Sequence, residues 1–330
     1  MEQSGKIKEY WNSRSVLVTG GNGYLGVETI KTLIGEGANI VSFDKGGSLH
    51  SLLKSIEGKI EYVSIDLSDN DALSRILKEN SFNTCFHLAG YSNIAEAKKN
   101  PLDAFQANVY SVCNLLEAFR RSNSFPFTVL ASSNHVYGNQ GVHPTPEDSP
   151  LNSKDIYGVT KGCGDMIARA YAVSYGLPIS IARITNTYGG HEPYRKHLIP
   201  YIFSAVSEGK APVIQGDGKS MKGFLYVRDT VGGLKMLAEA TERKEIWGES
   251  FNFYPDKNSS VLEVAKIILN VMEREDIDLE IKGLLNEKHE GSVEFLDNRN
   301  ANDKLGWRQN VPLEVGIKSA LEDYKKYKII

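Results

Sequence analysis

Ser15-Val16-Leu17-Val18-Thr19-Gly20-Gly21-Asn22-Gly23-Tyr24-Leu25-Gly26 decides how this chain folds. Its first residues make a short apolar strand. Gly20, Gly23 and Gly26 then follow at Gly-x-x-Gly-x-x-Gly spacing, and an apolar-periodic helix runs on to about Gly35. Strand, glycine-rich turn and helix start form the unit that holds a dinucleotide pyrophosphate. The glycines let the backbone approach the phosphates, and the helix N-terminus offers them N–H groups. Tyr24 and Leu25 lie in the same turn. A second strand, Asn39-Ile40-Val41-Ser42-Phe43, ends at Asp44, about twenty residues beyond the turn, where a carboxylate accepts hydrogen bonds from adenosine ribose hydroxyls. Asp44 repels a 2′-phosphate, so NAD is expected over NADP, with the adjacent Lys45 working against that preference.

Further strand patterns stand at Ile60 to Ile65, Thr84 to Leu88, Phe127 to Ala131 and Ile179 to Arg183, with helical patterns at Asp69 to Glu79, Pro101 to Ser122 and Ile156 to Tyr175. This alternation predicts an α/β fold, a Rossmann-type doubly wound parallel sheet with helices on both faces. After about Thr185 the pattern turns irregular, with helices at Leu198 to Glu208, Val261 to Arg274 and Leu313 to Tyr327 between loops rich in Gly, Asp and Asn. The expected organisation is an NAD-binding domain over residues 1–184. Residues 185–330 are read mainly as a smaller α/β substrate-binding domain, with room for segments that return to the sheet.

Downstream of the turn comes Tyr157-Gly158-Val159-Thr160-Lys161, closely preceded by Ser132-Ser133. Tyr and Lys four apart share one helix face, so the ammonium can sit near the phenol and favour its ionised form. With that charge and an oxidised nicotinamide beside it, Tyr157 becomes a usable base for oxidising an alcohol.

Composition fits an enzyme of one large domain, or of a nucleotide domain plus a smaller one. The 330 residues carry 38 basic and 41 acidic side chains for a net charge of −3, with no basic stripe, so nucleic acid is not an expected partner. No apolar run reaches the ~20 residues of a membrane span, and Met1 to Tyr10 has no signal-peptide core; a cytoplasmic location is the expectation. Cys85, Cys113 and Cys163 show neither paired nor metal-ligand spacing, which suits a reducing compartment; burial is expected for Cys85 and Cys113, and no metal is expected.

Over nearly its whole length the chain resembles the extended short-chain dehydrogenase/reductases, the nucleotide-sugar epimerase/dehydratase family. Asp66-Leu67 resembles that family's adenine-contacting pair, and His87-Leu88-Ala89-Gly90 the strand end passing under the cofactor. Asn108 matches a helix packed behind the nicotinamide side. Ser132-Ser133-Asn134-His135-Val136-Tyr137-Gly138 matches the active-site strand end and places Ser133 at the catalytic Ser/Thr position. Arg183 to Gly189 resembles the segment whose asparagine, here Asn186, contacts the substrate diphosphate. His197-Leu198-Ile199-Pro200, Gly216 to Asp229 and Lys304-Leu305-Gly306-Trp307 continue the likeness. Asp165 to Pro178 and Ile199 to Asp229 are most similar to the branch containing CDP-glucose dehydratases.

The resemblance implies that Tyr157, with Ser133 and Lys161, takes the proton of a sugar hydroxyl, most often at C4, while NAD accepts the hydride. The resulting 4-keto sugar can then be epimerised or dehydrated. Typical 4,6-dehydratases of the family carry Asp-Glu after the Ser/Thr; this chain has Asn134-His135, and an amide cannot serve as the general acid. His135 retains the option of acid–base work, and equally of a packed strand-end role. An epimerase is the first reading. An atypical dehydratase using His135, a net sugar oxidoreductase releasing NADH and a non-catalytic dinucleotide sensor are the alternatives. The family's arginine for the diphosphate is replaced by Lys222, and a later one by His289; the grip then weakens or moves to Arg195, Lys196, Lys219 or Arg299, which leaves room for a simpler sugar phosphate. Tyr137 is expected to pack, and Tyr91, Tyr188 and Tyr226 to line the cleft. The helices Pro101 to Ser122 and Ile156 to Tyr175 resemble those of the superfamily's four-helix dimer contact, so a homodimer is expected.

Overall fold

The computed structural model describes residues 10–122, 125–139, 143–283 and 294–330. In chain order its elements begin with β1 (Ser15–Thr19), α1 (Tyr24–Gly35), β2 (Asn39–Asp44), β3 (Ile60–Ser64), α2 (Asn70–Glu79) and β4 (Thr84–His87). There follow α3 (Ile94–Lys99), α4 (Pro101–Phe105), α5 (Ser111–Arg121), β5 (Phe127–Ser133), α6 (Ile156–Tyr175), β6 (Ile179–Ile184), β7 (Asn186–Tyr188) and α7 (Leu198–Ser207). The last group is β8 (Val213–Gln215), β9 (Met221–Lys222), β10 (Phe224–Tyr226), α8 (Val227–Ala240), β11 (Ser250–Phe253), β12 (Ser259–Ser260), α9 (Val261–Val271), β13 (Glu280–Lys282) and α10 (Leu313–Lys326).

The chain divides into two compact units. Met1–Gln140, Glu147–Ile184 and Val231–Phe251 form the first; Gly141–Pro146, Thr185–Thr230 and Asn252–Ile330 form the second. In the first unit a seven-stranded sheet runs β11-β6-β5-β4-β1-β2-β3. The pairs from β3 to β6 are all parallel, with Thr19 opposite both Phe43 and His87. Strand order reverses between β1 and β4, and in open α/β sheets that switch point is where ligands bind. β4 and β6 are buried along their whole length, as covered parallel strands with no solvent face are, and the polar side chains they carry are buried with them. On one face Leu73 and Leu77 of α2, Val112 and Leu115 of α5 and Ala168 of α6 pack over Leu17, Cys85 and Ile181 in one core cluster. Burying the leucine, isoleucine and valine side chains among them contributes roughly 1.5–3 kcal/mol each.

Capping fixes where the helices begin. Asp69 caps α2 through the Ala72 N–H, and Asp155 caps α6 through the Gly158 N–H at 2.8 Å. Gly176, with φ 65°, ends α6 in the left-handed conformation. The single helix expected over Pro101 to Ser122 differs in one respect: Gln106–Tyr110, between α4 and α5, is a π-turn. Within it Asn108 is buried and bridges neighbouring segments: Oδ1 accepts from Tyr91 N at 2.8 Å, and Nδ2 donates to Thr160 Oγ1 at 2.9 Å. Such π-turns are rare inside helices and occur frequently at functional sites. Cys113, expected to be buried, is partly exposed.

The second unit is built of short pieces. β10 pairs with β7 in parallel, β12 with β9 antiparallel and β13 with β8 in parallel. These two- and three-residue strands stand where the sequence pattern predicted only loops. Trp307 anchors the unit; it is 1% exposed, donates to Asp229 O at 3.2 Å and meets Phe253 edge-on. Among the described residues no helix is long and apolar enough to cross a membrane.

Candidate active site

At the switch point the glycine-rich turn lies directly on the segment after β4. Gly20 has φ +72°, and a Cβ there would stand 2.6 Å from Ala89 N; a Cβ on Gly26 would stand 2.1 Å from Gly20 O. Gly23 N closes the turn on Gly20 O at 2.9 Å. α1 starts at Gly23-Tyr24-Leu25 with no side-chain cap, so its positive end faces the turn uncompensated by a side chain. Asp44 is fixed by the same turn, with Oδ2 accepting from Asn22 N at 3.0 Å.

Lys45, which tempered the preference for NAD, is paired with Asp66 at 3.6 Å. The Ser68 N–H, ahead of Lys45, holds the Asp66 carboxyl below its usual range. Leu67 belongs to the hydrophobic core, and its carbonyl accepts from Asn114 Nδ2 at 2.9 Å. Leu88 N donates to Thr19 O, tying the end of β4 to β1. Beyond it Gly90 leaves no room for a side chain: a Cβ would lie 2.6 Å from Asn108 Oδ1 and 3.0 Å from Lys161 Nζ.

The candidate reactive side chains gather at the end of β5. Ser133 Oγ donates to Asn134 Oδ1 at 3.2 Å and accepts from His135 N. Burial raises the Tyr157 phenol above its ordinary value, with the nearby Ser133 hydroxyl drawing it down and the Asp155 charge pushing it up. Lys161 Nζ donates to Ala131 O at 3.0 Å rather than to the phenol, and burial lowers its pKa to about 8. Shared helix face therefore brings Tyr157 and Lys161 to one region, whereas the ammonium is aimed at the strand carbonyl.

His135 stands edge-on to Tyr157, ring centroids 5.5 Å apart, with its side chain 29% exposed. Its Nδ1 is 3.9 Å from Asp155 Oδ2, an electrostatic contact too long for a hydrogen bond. Burial acts to raise the Asp155 carboxyl, but His135 and the Gly158 N–H outweigh it and bring it to about 2. The sequence reading missed Asp155, whose place two residues before Tyr157 was the available clue.

A buried frame holds this strand end, and it too went unread. Arg183 and Asp165 are both fully buried and form a two-pronged pair at 2.8 and 3.0 Å. Asp165 also accepts from Ser132 Oγ, and Arg183 donates to Tyr137 OH and Glu147 O. With its hydrogen-bonding positions taken up, such a pair is costly to break and fixes geometry. Tyr137 packs, as expected, at 1% exposure.

The other candidates lie in the second unit. Asn186 Nδ2 donates to Gly223 O at 3.1 Å, and Lys222 lies in β9 opposite Ser259. His197 immediately precedes Leu198, the first residue of α7; its Nδ1 is 2.6 Å from Glu192 Oε1 and its ring stacks on Tyr194. Arg299 grips Asp297 through Nε at 2.9 Å, so its fork is already engaged, and it holds the Asp297 carboxyl below its usual range. Tyr188 and Tyr226 do not line a cleft: at 2% and 1% exposure they pack into their unit's core, with a Cβ on Gly316 reaching to 2.1 Å from the Tyr188 hydroxyl. His289 lies outside the described residues.

Comparison with known proteins gives a consistent set. The family model described as GDP-mannose 4,6 dehydratase matches residues 17–320. The chain is 27% identical to a putative UDP-glucose 4-epimerase of Methanocaldococcus jannaschii over 92% of its own length and 96% of the relative's. It is 26% identical to the dTDP-D-glucose 4,6-dehydratase of Bos taurus, covering 95% of this chain and 89% of that one. Among solved structures, UDP-glucose 4-epimerase from Thermotoga maritima with UDP-glucose superposes with a TM-score of 0.84 at 25% identity, covering 94% of this chain and 99% of that one.

Proposed function

Because the chain belongs to the GDP-mannose 4,6-dehydratase family, we propose that it is an NAD-dependent nucleotide-sugar epimerase acting through a transient 4-keto sugar. The observation that carries the choice of reaction is Asn134. Its Oδ1 accepts the Ser133 hydroxyl hydrogen, so the position after the serine has no acidic proton to hand to a leaving hydroxyl. Elimination lacks its acid there, while removal and return of a hydroxyl proton require no acid at that position.

The dinucleotide fits the turn. A side chain at Gly20 or Gly26 would collide with backbone, which keeps the path to the uncapped start of α1 clear for a pyrophosphate, and Asp44 stands at the end of β2 for the ribose hydroxyls. NAD, when bound, takes and returns the sugar hydrogen with its electron pair. Tyr157 takes the C4 hydroxyl proton and Ser133 hydrogen-bonds the same oxygen, steadying the charge that develops on it. A phenol whose pKa is raised by burial needs a nearby cation to act as a base at neutral pH, and Lys161, one helical turn on, is the one placed to supply it.

His135 beside Tyr157, facing Asp155, supports a second reading. An imidazole there can exchange a proton on a carbon next to the ketone, as an atypical 4,6-dehydratase or a 3- or 5-epimerase requires. Incubation with UDP-, CDP-, GDP- and dTDP-sugars in deuterated water separates the readings by mass and proton NMR. An isomer without deuterium is expected. Deuterium in the product or loss of water establishes the second reading, and silence across the panel removes nucleotide sugars as substrates.

We infer a homodimer as well. Leu102, Tyr110, Met166, Val173 and Tyr175, on α4, the π-turn and α6, are all more than half exposed, an apolar set suited to the expected contact through these helices. A monomer by light scattering at micromolar concentration would dismiss it. Three unpaired cysteines fit the reducing cytoplasm.

A further inference from the structure

Behind Lys161 lies a small cavity of about 10 Å³, close to the space one water requires. Its walls include Val112 and Leu130, but its polar lining is specific: Lys161, Asn108, Ala131 and His87. His87, at the end of β4, is 2% exposed, and its Nε2 has no hydrogen-bond partner among the described residues. Leaving a polar atom buried and unpaired costs roughly 1–3 kcal/mol, so such an atom on a polar cavity wall calls for a partner. The other ring nitrogen is 2.7 Å from Thr19 Oγ1, across the β1–β4 register that defines the switch point.

We propose that one water in this cavity bridges His87 Nε2 and Lys161 Nζ, making His87 the positioning residue for the charge that Lys161 supplies to Tyr157. The ammonium donates to the water and to Ala131 O, and the water donates to Nε2. Nδ1–H then donates to Thr19 Oγ1, the tautomer that a positive neighbour favours because it turns the ring's lone pair toward the ammonium. Burial, and after it the Lys161 charge, lower the His87 pKa to about 3, so the ring stays a neutral acceptor. Of the ionisable groups around Lys161, His87 faces it from β4 and Tyr157 shares its helix; Asp165 and Arg183, further along α6 and on β6, are bound to each other, and Asp155 is turned to His135. Without the bridge Lys161 would lose its proton more easily, and Tyr157 would lose the cation beside it.

This inference rests on Lys161 serving Tyr157, and the test separates the two. In protein carrying 13C-labelled lysine, the Lys161 Cε signal is assigned by its loss in Lys161→Met and titrated by NMR. His87→Asn keeps a polar atom toward Thr19 and removes the one facing the cavity; His87→Gln restores a polar atom near the Nε2 position. The midpoint near pH 8 is expected to fall by about one unit in His87→Asn, a tenfold change in the proton equilibrium, and to return toward the parent value in His87→Gln. An unchanged midpoint in His87→Asn, or an equal fall in both variants, overturns the bridge, the latter because a polar atom restored near the Nε2 position then fails to recover the midpoint. Undiminished turnover of Lys161→Met would remove Lys161 from the reaction without moving either midpoint.

Discussion

The Gly20–Gly26 turn and the Ser133–His135 strand end follow parallel strands of one sheet, yet they work in opposite ways. At the turn, the proposed cofactor role resides in the backbone: the absence of side chains lets Gly20 lie against Ala89 and α1 against Gly20 and Gly21, and it leaves the helix start open to an anion. At the strand end it resides in side chains, and exchanging a carboxylic acid for the amide of Asn134 changes which bonds can break while the fold stays the same. Backbone-held sites therefore identify a family, and side-chain-held sites choose the reaction within it.

Tyr157→Phe tests the side-chain region with the largest expected effect. Removing the hydroxyl removes the proton acceptor, and kcat on a responsive sugar nucleotide should fall by about 10³-fold, within the range that acid–base groups contribute. NAD should stay bound, because the backbone-held region is untouched. Substantial residual turnover would take Tyr157 out of the mechanism.

Gly26→Val should do the reverse. Its Cβ would stand 2.1 Å from Gly20 O, with Gly21 Cα at 2.7 Å, and both obstacles are backbone. Overpacking of this kind costs about 1–3 kcal/mol, so the melting temperature should drop and NAD binding measured by calorimetry should be lost. Binding at parental affinity would show that the turn tolerates a side chain and that the contrast between the regions is overstated.

Asp155→Ala and Asp155→Asn probe the join between backbone and side-chain roles. As N-cap of α6, Asp155 accepts from Gly158 N; its loss to alanine should cost about 1 kcal/mol at pH 7, whereas asparagine keeps the cap. With its side chain 41% exposed, Asp155 is screened by solvent, so the cap rather than the His135 contact carries that figure. Its folded pKa of about 2 lies below the roughly 3.9 of an unfolded aspartate, so the charge-linked stabilisation is full above about pH 4 and fades between there and pH 2. The melting-temperature gap between parent and Asp155→Ala should narrow over that window; a gap constant down to pH 2 would discount the ionic part.

What could be read in the sequence follows the same division. The sheet, its helices and the glycine turn were legible because they rest on short-range patterns: buried strands, helical periodicity and glycines where Cβ atoms collide. The short strands of the second unit were not, since two or three residues carry no periodicity. Nor were contacts formed at a distance, such as the Arg183–Asp165 frame, the bridge from Asn108 in the π-turn to Thr160, or the opening behind Lys161 onto which His87 turns. Helix spacing placed Tyr157 and Lys161 on one face, but the direction of the ammonium depends on Ala131 O, a backbone acceptor that sequence does not advertise.

His135→Ala has the smallest expected effect and bears most directly on the reaction. In a 4-epimerase the proton leaves and returns through Tyr157 alone, so replacing the imidazole should change kcat by no more than about threefold, mostly through lost packing of its ring on Tyr157. If His135 is instead the group that moves a proton at the neighbouring carbon, deuterium uptake or loss of water should fall by about 10²-fold or more, as for a general acid–base residue. Asp155→Asn would then reproduce part of that fall while leaving the helix cap in place, because it removes only the charge facing the imidazole. A small effect of both changes leaves the amide of Asn134 and the hydroxyls of Ser133 and Tyr157 sufficient for the chemistry. A large effect of both makes the imidazole–carboxylate pair the feature that sets this chain apart from a 4-epimerase.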